Sequence, residues 1–147
     1  ALLALYRQSV NFPVSRIYPG IPEYFNGRGR GMYHYLTGAA SWYLLTVVTE
    51  MYGVKGCLGD MVLMPKLLKS QFDGEGTASV TLPFAGKKWK ITYENKNAKE
   101  YGEYKVSEAV LDGTRLPAPD GISVRLTKEA IEGLKEIACH ELRVILE

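Results

Sequence analysis

The stretch AASWYLLTVVTEMY, residues 39–52, is apolar nearly all round, and Gly53 follows it at once. Apolar residues on every side of a helical wheel describe a helix buried on most faces, and a glycine just past its end can take the left-handed conformation that closes it. Such a helix normally sits inside an array of other helices, which a chain of 147 residues is too short to supply. Beyond Gly53 the periodicity changes from helical to alternating. One feature therefore predicts both a buried helix and a division of the chain, with helical residues 1–53 leading into a β-rich terminal domain over 54–147.

The segments before the apolar run fit a helical piece with a site-lining loop. ALLALYRQSVNFP opens on helix-forming apolar residues without Met or an N-cap, and Pro13 bars easy continuation. It reads as a helix cut in the middle, with the first half of a larger fold expected upstream and a processed terminus as the alternative. From Ile17 to Gly31 the density of Gly and Pro excludes regular helix. Ile17, Tyr18, Ile21, Tyr24 and Phe25 give this segment something to bury, so it is expected to be an ordered loop of the kind that lines sites.

After Gly53, GDMVLMP is a short buried strand candidate. ASVTLP and KKWKITYEN form a hairpin with one wet face, because Trp89, Ile91 and Tyr93 alternate with Lys88, Lys90 and Thr92. EYKVSEAVLDG, ISVRL and LRVILE supply further strands, and Thr127 can cap a short amphipathic helix carrying Ala130, Ile131, Leu134 and Ile137. No repeat or low-complexity tract interrupts this order.

Composition bounds the partners. Hydrophobic residues at 46% and charged residues at 23% describe a globular chain of about one domain's length. A net charge of +2 offers no strong field for a polyanion or an anionic membrane, and no apolar run approaches the roughly 20 residues of a membrane span. Cys57 and Cys139 lie far apart and outside any Cys-x-x-Cys spacing; they read as reduced thiols, with a single disulfide as the alternative, and favour a cytoplasmic setting.

The motif-rich segment RGRGMYHYLTGAASW, residues 28–42, admits several chemistries. Arg-Gly pairs with interleaved aromatics can bind single-stranded nucleic acid, but such tails are long and poor in apolar residues, whereas these pairs stand between IPEYF and an apolar helix. No strand precedes GRGRGM, so it fails as a dinucleotide fingerprint, and no Gly-Lys-Thr or Gly-Lys-Ser offers a nucleotide P-loop. Thr37 and Gly38 stand at the start of the helix, where unpaired backbone N–H groups and the helix dipole favour an anion. They can build a phosphate pocket, or else merely cap the helix and permit close packing, which spacing alone favours.

The remaining chemistry-bearing residues form no motif. His34 reads as a hydrogen-bonded loop histidine. Cys139 and His140 are adjacent, so on a strand they point to opposite faces, and no metal site is expected. Glu23, Asp60, Asp73 and Glu75 have no spacing that establishes an acid/base pair. Trp42 and Trp89 could stack on a sugar but are more often core residues.

Residues 18–67, YPGIPEYFNGRGRGMYHYLTGAASWYLLTVVTEMYGVKGCLGDMVLMPKL, resemble the C-terminal part of the inverting β-glucoside phosphorylases of glycoside hydrolase family 94. This is the group of cellobiose, cellodextrin, chitobiose and β-1,2-oligoglucan phosphorylases. YLTG, the small-residue pair, SW and GD occur in the family's order, and the wording is most similar to the cellodextrin or oligoglucan branch. After residue 75 the resemblance rests on strand order alone.

The resemblance implies the terminal helices of an (α/α)6 catalytic barrel followed by a C-terminal antiparallel β-rich domain, a mixed α and β fold. It implies phosphate contacts at Thr37 and Gly38, which reverses the reading from spacing, and sugar contacts at Glu23, Tyr24 and Asn26. It further implies a catalytic acid upstream of residue 1, no cofactor beyond phosphate as a substrate, a β-linked glucose oligosaccharide as the other substrate, and a homodimer by analogy. A noncatalytic carbohydrate-binding or subunit-contact module is the alternative.

Overall fold

A computed structural model describes residues 2–17, 20–33, 38–117 and 120–147. The chain forms two compact units, Ala1–Val47 and Val48–Glu147. Their boundary falls inside the apolar run because Val48, Met51 and Tyr52 pack against the β-domain core.

In the first unit, α1 (Leu2–Val10) stops before Asn11 and α2 (Phe12–Ser15) restarts with Pro13 in its first turn, where a missing N–H costs nothing. Arg16 closes α2 in the left-handed region, and the buried Ser15 hydroxyl donates to the Ser9 carbonyl over 2.8 Å. The Gly/Pro-rich segment is not wholly irregular: β1 (Tyr24–Phe25) and β2 (Gly31–Met32) pair antiparallel, Tyr24 opposite Met32.

The Arg-Gly alternation has a packing cause. A Cβ at Gly29 would meet Gln8 Nε2 at 2.8 Å and Val14 Cγ1 at 2.9 Å, and one at Gly31 would meet Ile17 Cδ1 at 2.3 Å. The glycines let the hairpin close onto α1 and α2, while Arg28 and Arg30 face solvent.

The expected buried helix differs most from expectation. α3 covers Ala39–Thr46 and has no buried residue; Trp42 is 68% and Leu44 66% exposed. Tyr43 is half-buried, whereas Trp42, Leu44 and Leu45 are at least half exposed. The Thr46 hydroxyl donates back to the Trp42 carbonyl over 2.7 Å, a bond that bends helices, and the chain then widens into a π-turn over Val47–Met51. Gly53 ends it at φ 72°, where a Cβ would stand 1.9 Å from the Met64 carbonyl oxygen.

The second unit is a two-sheet sandwich. β3 (Val54–Cys57), β4 (Asp60–Leu63) and β9 (Val124–Leu126) form a three-stranded antiparallel sheet in the order β3-β4-β9. β5 (Thr77–Phe84), β6 (Lys87–Glu94), β7 (Val106–Leu111), β8 (Thr114–Arg115) and β10 (His140–Leu146) form the other, in the order β5-β6-β10-β7-β8. The sheet is mostly antiparallel as expected, but its centre is not: β10 runs parallel to β6, with His140 opposite Trp89. The long excursion through β7, β8, β9 and α4 (Lys128–Glu132) returns the chain to the same edge in the same direction, as a parallel pair requires.

One core joins both sheets. Met61 and Leu63 from the smaller sheet, Trp89, Ile91, Tyr93, Leu142 and Val144 from the larger, and Ile131 from α4 are all at most 2% exposed. The Lys88, Lys90, Glu141 and Arg143 positions between them face water, as period-two alternation dictates. Thr127 caps α4 by accepting from the Ala130 N–H, and the helix ends before Gly133, which leaves Leu134 half-buried and Ile137 exposed beyond it.

Candidate functional site

The site is built from the loop before β1, from β1 itself and from one face of α3. Residues 39, 42/43 and 46 share a helical face, and this spacing brings Ala39, Trp42, Tyr43 and Thr46 together. They line an open recess of about 550 Å³ whose other wall includes Glu23 and Tyr24. Aromatic walls with a carboxylate at the rim are the surface a pyranose asks for, apolar for its C–H faces and accepting for its hydroxyls.

The aromatic groups hold one another. Tyr43 packs on Tyr6 of α1 with ring centroids 6.3 Å apart, and burial together with Tyr6 pushes its phenol above the ordinary value. Tyr24 packs on Tyr33 at 5.6 Å. Trp42, by contrast, remains largely open to solvent, and it is not the core residue its helical position suggested. Trp89 is one, fully buried with its indole N–H donated to the Phe84 carbonyl.

Gly38 is the N-cap residue of α3, with helical φ and ψ, and its carbonyl accepts the Trp42 N–H at 2.9 Å. A Cβ at Gly38 would stand 3.2 Å from Trp42 Cδ1, so this glycine leaves room for the indole. Thr37 and His34 lie outside the described residues. Asn26 does not line the recess: its Oδ1 accepts the N–H groups of Arg28 at 2.9 Å and Arg30 at 3.1 Å, closing the β1–β2 turn.

The other candidate carboxylates serve the second unit's framework. Asp60 accepts from Arg125 Nε and the Lys128 N–H, which hold its carboxyl below the usual range. Asp73 accepts from the Thr77 hydroxyl and from the Thr77 and Glu75 N–H groups, with the same effect. Cys57 and Cys139 are free thiols.

Among the described residues no group of three or more His, Cys, Asp or Glu could hold a metal ion, and no helix is long and apolar enough to cross a membrane. Compared with known proteins, the chain matches no family model and no curated protein sequence.

Sequence reasoning missed Tyr43 and the pairing of His140 with Asp112. Tyr43 was detectable from its place four residues after Ala39 and three before Thr46. The His140–Asp112 pair, 28 residues apart in sequence, depends on the register of β10 against β7 and left no local signal.

Proposed function

We propose that the chain is the C-terminal portion of an inverting β-glucoside phosphorylase, which cleaves a β-linked glucan with inorganic phosphate to α-glucose 1-phosphate and a shortened acceptor. The observation that supports this reading is the recess: Glu23 and Tyr24, the sugar-contact candidates, line it beside Ala39, the residue that follows the Thr37–Gly38 pair. The exposure of Trp42, Leu44 and Leu45 on α3 agrees with a helix that packs among further barrel helices.

The chemistry follows from the nucleophile. An inverting hydrolase needs one carboxylate to activate water and another to protonate the leaving oxygen. Phosphate is already anionic at neutral pH, so a single acid suffices, provided that N–H and hydroxyl donors hold the anion in line with the anomeric carbon. Thr37 and the Gly38 N–H would supply such donors. Trp42 and Tyr43 would hold a sugar ring, and the acid would come from the barrel upstream.

The test is release of α-glucose 1-phosphate from a panel of β-linked glucans by the full reading frame. The frame releases it; the 147-residue chain alone does not; Thr37→Val in the frame lowers the rate about 10²-fold, the cost of losing one anion-stabilising donor. No release by the full frame on any β-glucan rejects the reading.

A further inference from the structure

The first unit holds charge that the proposed activity does not use. Residues 1–47 contain Arg7, Arg16, Arg28 and Arg30, no lysine, and Glu23 as their only acidic residue, so the whole surplus positive charge of the chain lies there. In the second unit each arginine is ion-paired: Arg115 to Glu108, Arg125 to Asp60 and Arg143 to Glu94. The four in the first unit are exposed and have no ion pair among the described residues.

The fold gathers these four around Gly29. Arg28 and Arg30 flank it, with their N–H groups fixed on Asn26 Oδ1. Gln8, the neighbour of Arg7, donates its side-chain amide to the Gly29 carbonyl over 3.0 Å, and Gly29 also packs against Val14, two residues before Arg16. Aromatic rings stand on the same hairpin: Tyr24 and Tyr33, 50% and 68% exposed, pack with centroids 5.6 Å apart. Gly31 and Met32 are extended between Arg30 and Tyr33, which puts those two Cα atoms about 10 Å apart.

A single anion at one solvent-exposed guanidinium gains little, so an occupant must meet several of them at once. The planar guanidinium fork matches phosphate oxygens, and exposed rings beside it take flat bases by stacking. A chain that carries a phosphate and an accessible flat ring at every unit is single-stranded nucleic acid; a duplex keeps its bases inside the stack.

We infer that the β1–β2 hairpin and the adjoining surface of α1 and α2 bind single-stranded nucleic acid, the arginines holding phosphates and Tyr33 stacking on a base. The site is a folded patch rather than an Arg-Gly tail, and the modest net charge of the whole chain conceals it. None of the four arginines lines the glucan recess, so the inference stands or falls apart from the phosphorylase reading.

The experiment is fluorescence anisotropy of a labelled oligothymidylate of about 15 nucleotides with the 147-residue chain, from about 50 to 200 mM salt. The strand binds saturably, and log K falls against log salt with a slope of about −2.8, the value for four phosphates of a single strand. Arg28→Gln and Arg30→Gln each remove about 0.7 from that slope, whereas Arg115→Gln leaves it unchanged. Tyr33→Leu weakens binding at least about fivefold with the slope intact. All these positions are exposed, which keeps loss of the fold out of the readout. No saturable binding at the lowest salt, an equal slope change in Arg115→Gln, no loss in Tyr33→Leu, or binding no tighter than that of a duplex or of polyglutamate of the same length overturns the inference.

Discussion

The two units spend their apolar residues in opposite ways. The β sandwich turns Trp89, Ile91, Tyr93 and Val144 inward to complete burial, while the helical unit leaves Leu5, Trp42, Leu44 and Leu45 between 49% and 68% exposed. A sheet that packs on another sheet covers its apolar face within the chain; a helix apolar on all sides needs neighbours on all sides. Apolar content thus says that a segment will be covered, and only the topology says by what. The two tryptophans put this contrast on one residue type.

Trp89→Ala should give the largest effect, a loss of about 3–5 kcal/mol, because a fully buried indole leaves a cavity and the Phe84 carbonyl loses its donor. Urea unfolding followed by far-UV circular dichroism reads it. A loss below about 1 kcal/mol would mean that the sandwich core is not packed as described.

Gly53→Val comes next. A β-branched residue at φ 72° costs about 1–3 kcal/mol in backbone strain alone, and its Cβ must also displace the Met64 carbonyl that now lies 1.9 Å from that position. The Gly53 carbonyl accepts the Met64 N–H at 2.9 Å, so the displacement disturbs the entry to β3 and the exit from β4 together. An unchanged urea midpoint would contradict this close approach.

How much of this was legible in the sequence depended on whether the signal was local. The alternation in KKWKITYEN placed β6 and its inward residues, and Thr127 placed the start of α4. β3 was not recognised because VKGC has a lysine and a glycine where a strand pattern needs apolar residues, and it is held instead by its pairing with β4. The parallel join of β10 to β6 rests on a connection of more than forty residues, which no window of sequence reports. At the candidate site, Glu23 and Tyr24 were visible in the loop, whereas Asn26 belonged to the hairpin turn because of two hydrogen bonds that its residue type permits but does not compel.

Acid pH probes a smaller term in the sandwich. Hydrogen bonds from Lys55 at 2.5 Å and Lys66 at 2.7 Å push the Glu50 carboxyl down to about 2 from its usual 4.5. A carboxylate depressed in the folded state contributes its stability in full above the unfolded value and loses it as pH falls toward the folded one. The urea midpoint should therefore fall more steeply between pH 4.5 and 2 in the native chain than in Glu50→Gln. Because the Glu50 side chain is 46% exposed, salt should reduce the difference; identical acid limbs would show that the two lysines do not act on it.

Trp42→Ser should have the smallest effect on this chain, within about 0.5 kcal/mol, because an indole 68% exposed on α3 has little burial to lose. The same substitution should reduce binding of an apolar dye, since Trp42 and Leu44 are exposed on one short helix. A loss comparable to that of Trp89→Ala would erase the contrast between the units by showing that Trp42 is covered in solution. If the proposed barrel helices cover α3, Trp42→Ser in the full reading frame should instead cost several-fold in glucan affinity and a measurable share of stability. The contrast between the two tryptophans would then belong to the 147-residue chain, and its disappearance in the longer frame would locate the missing cover on that frame's helices.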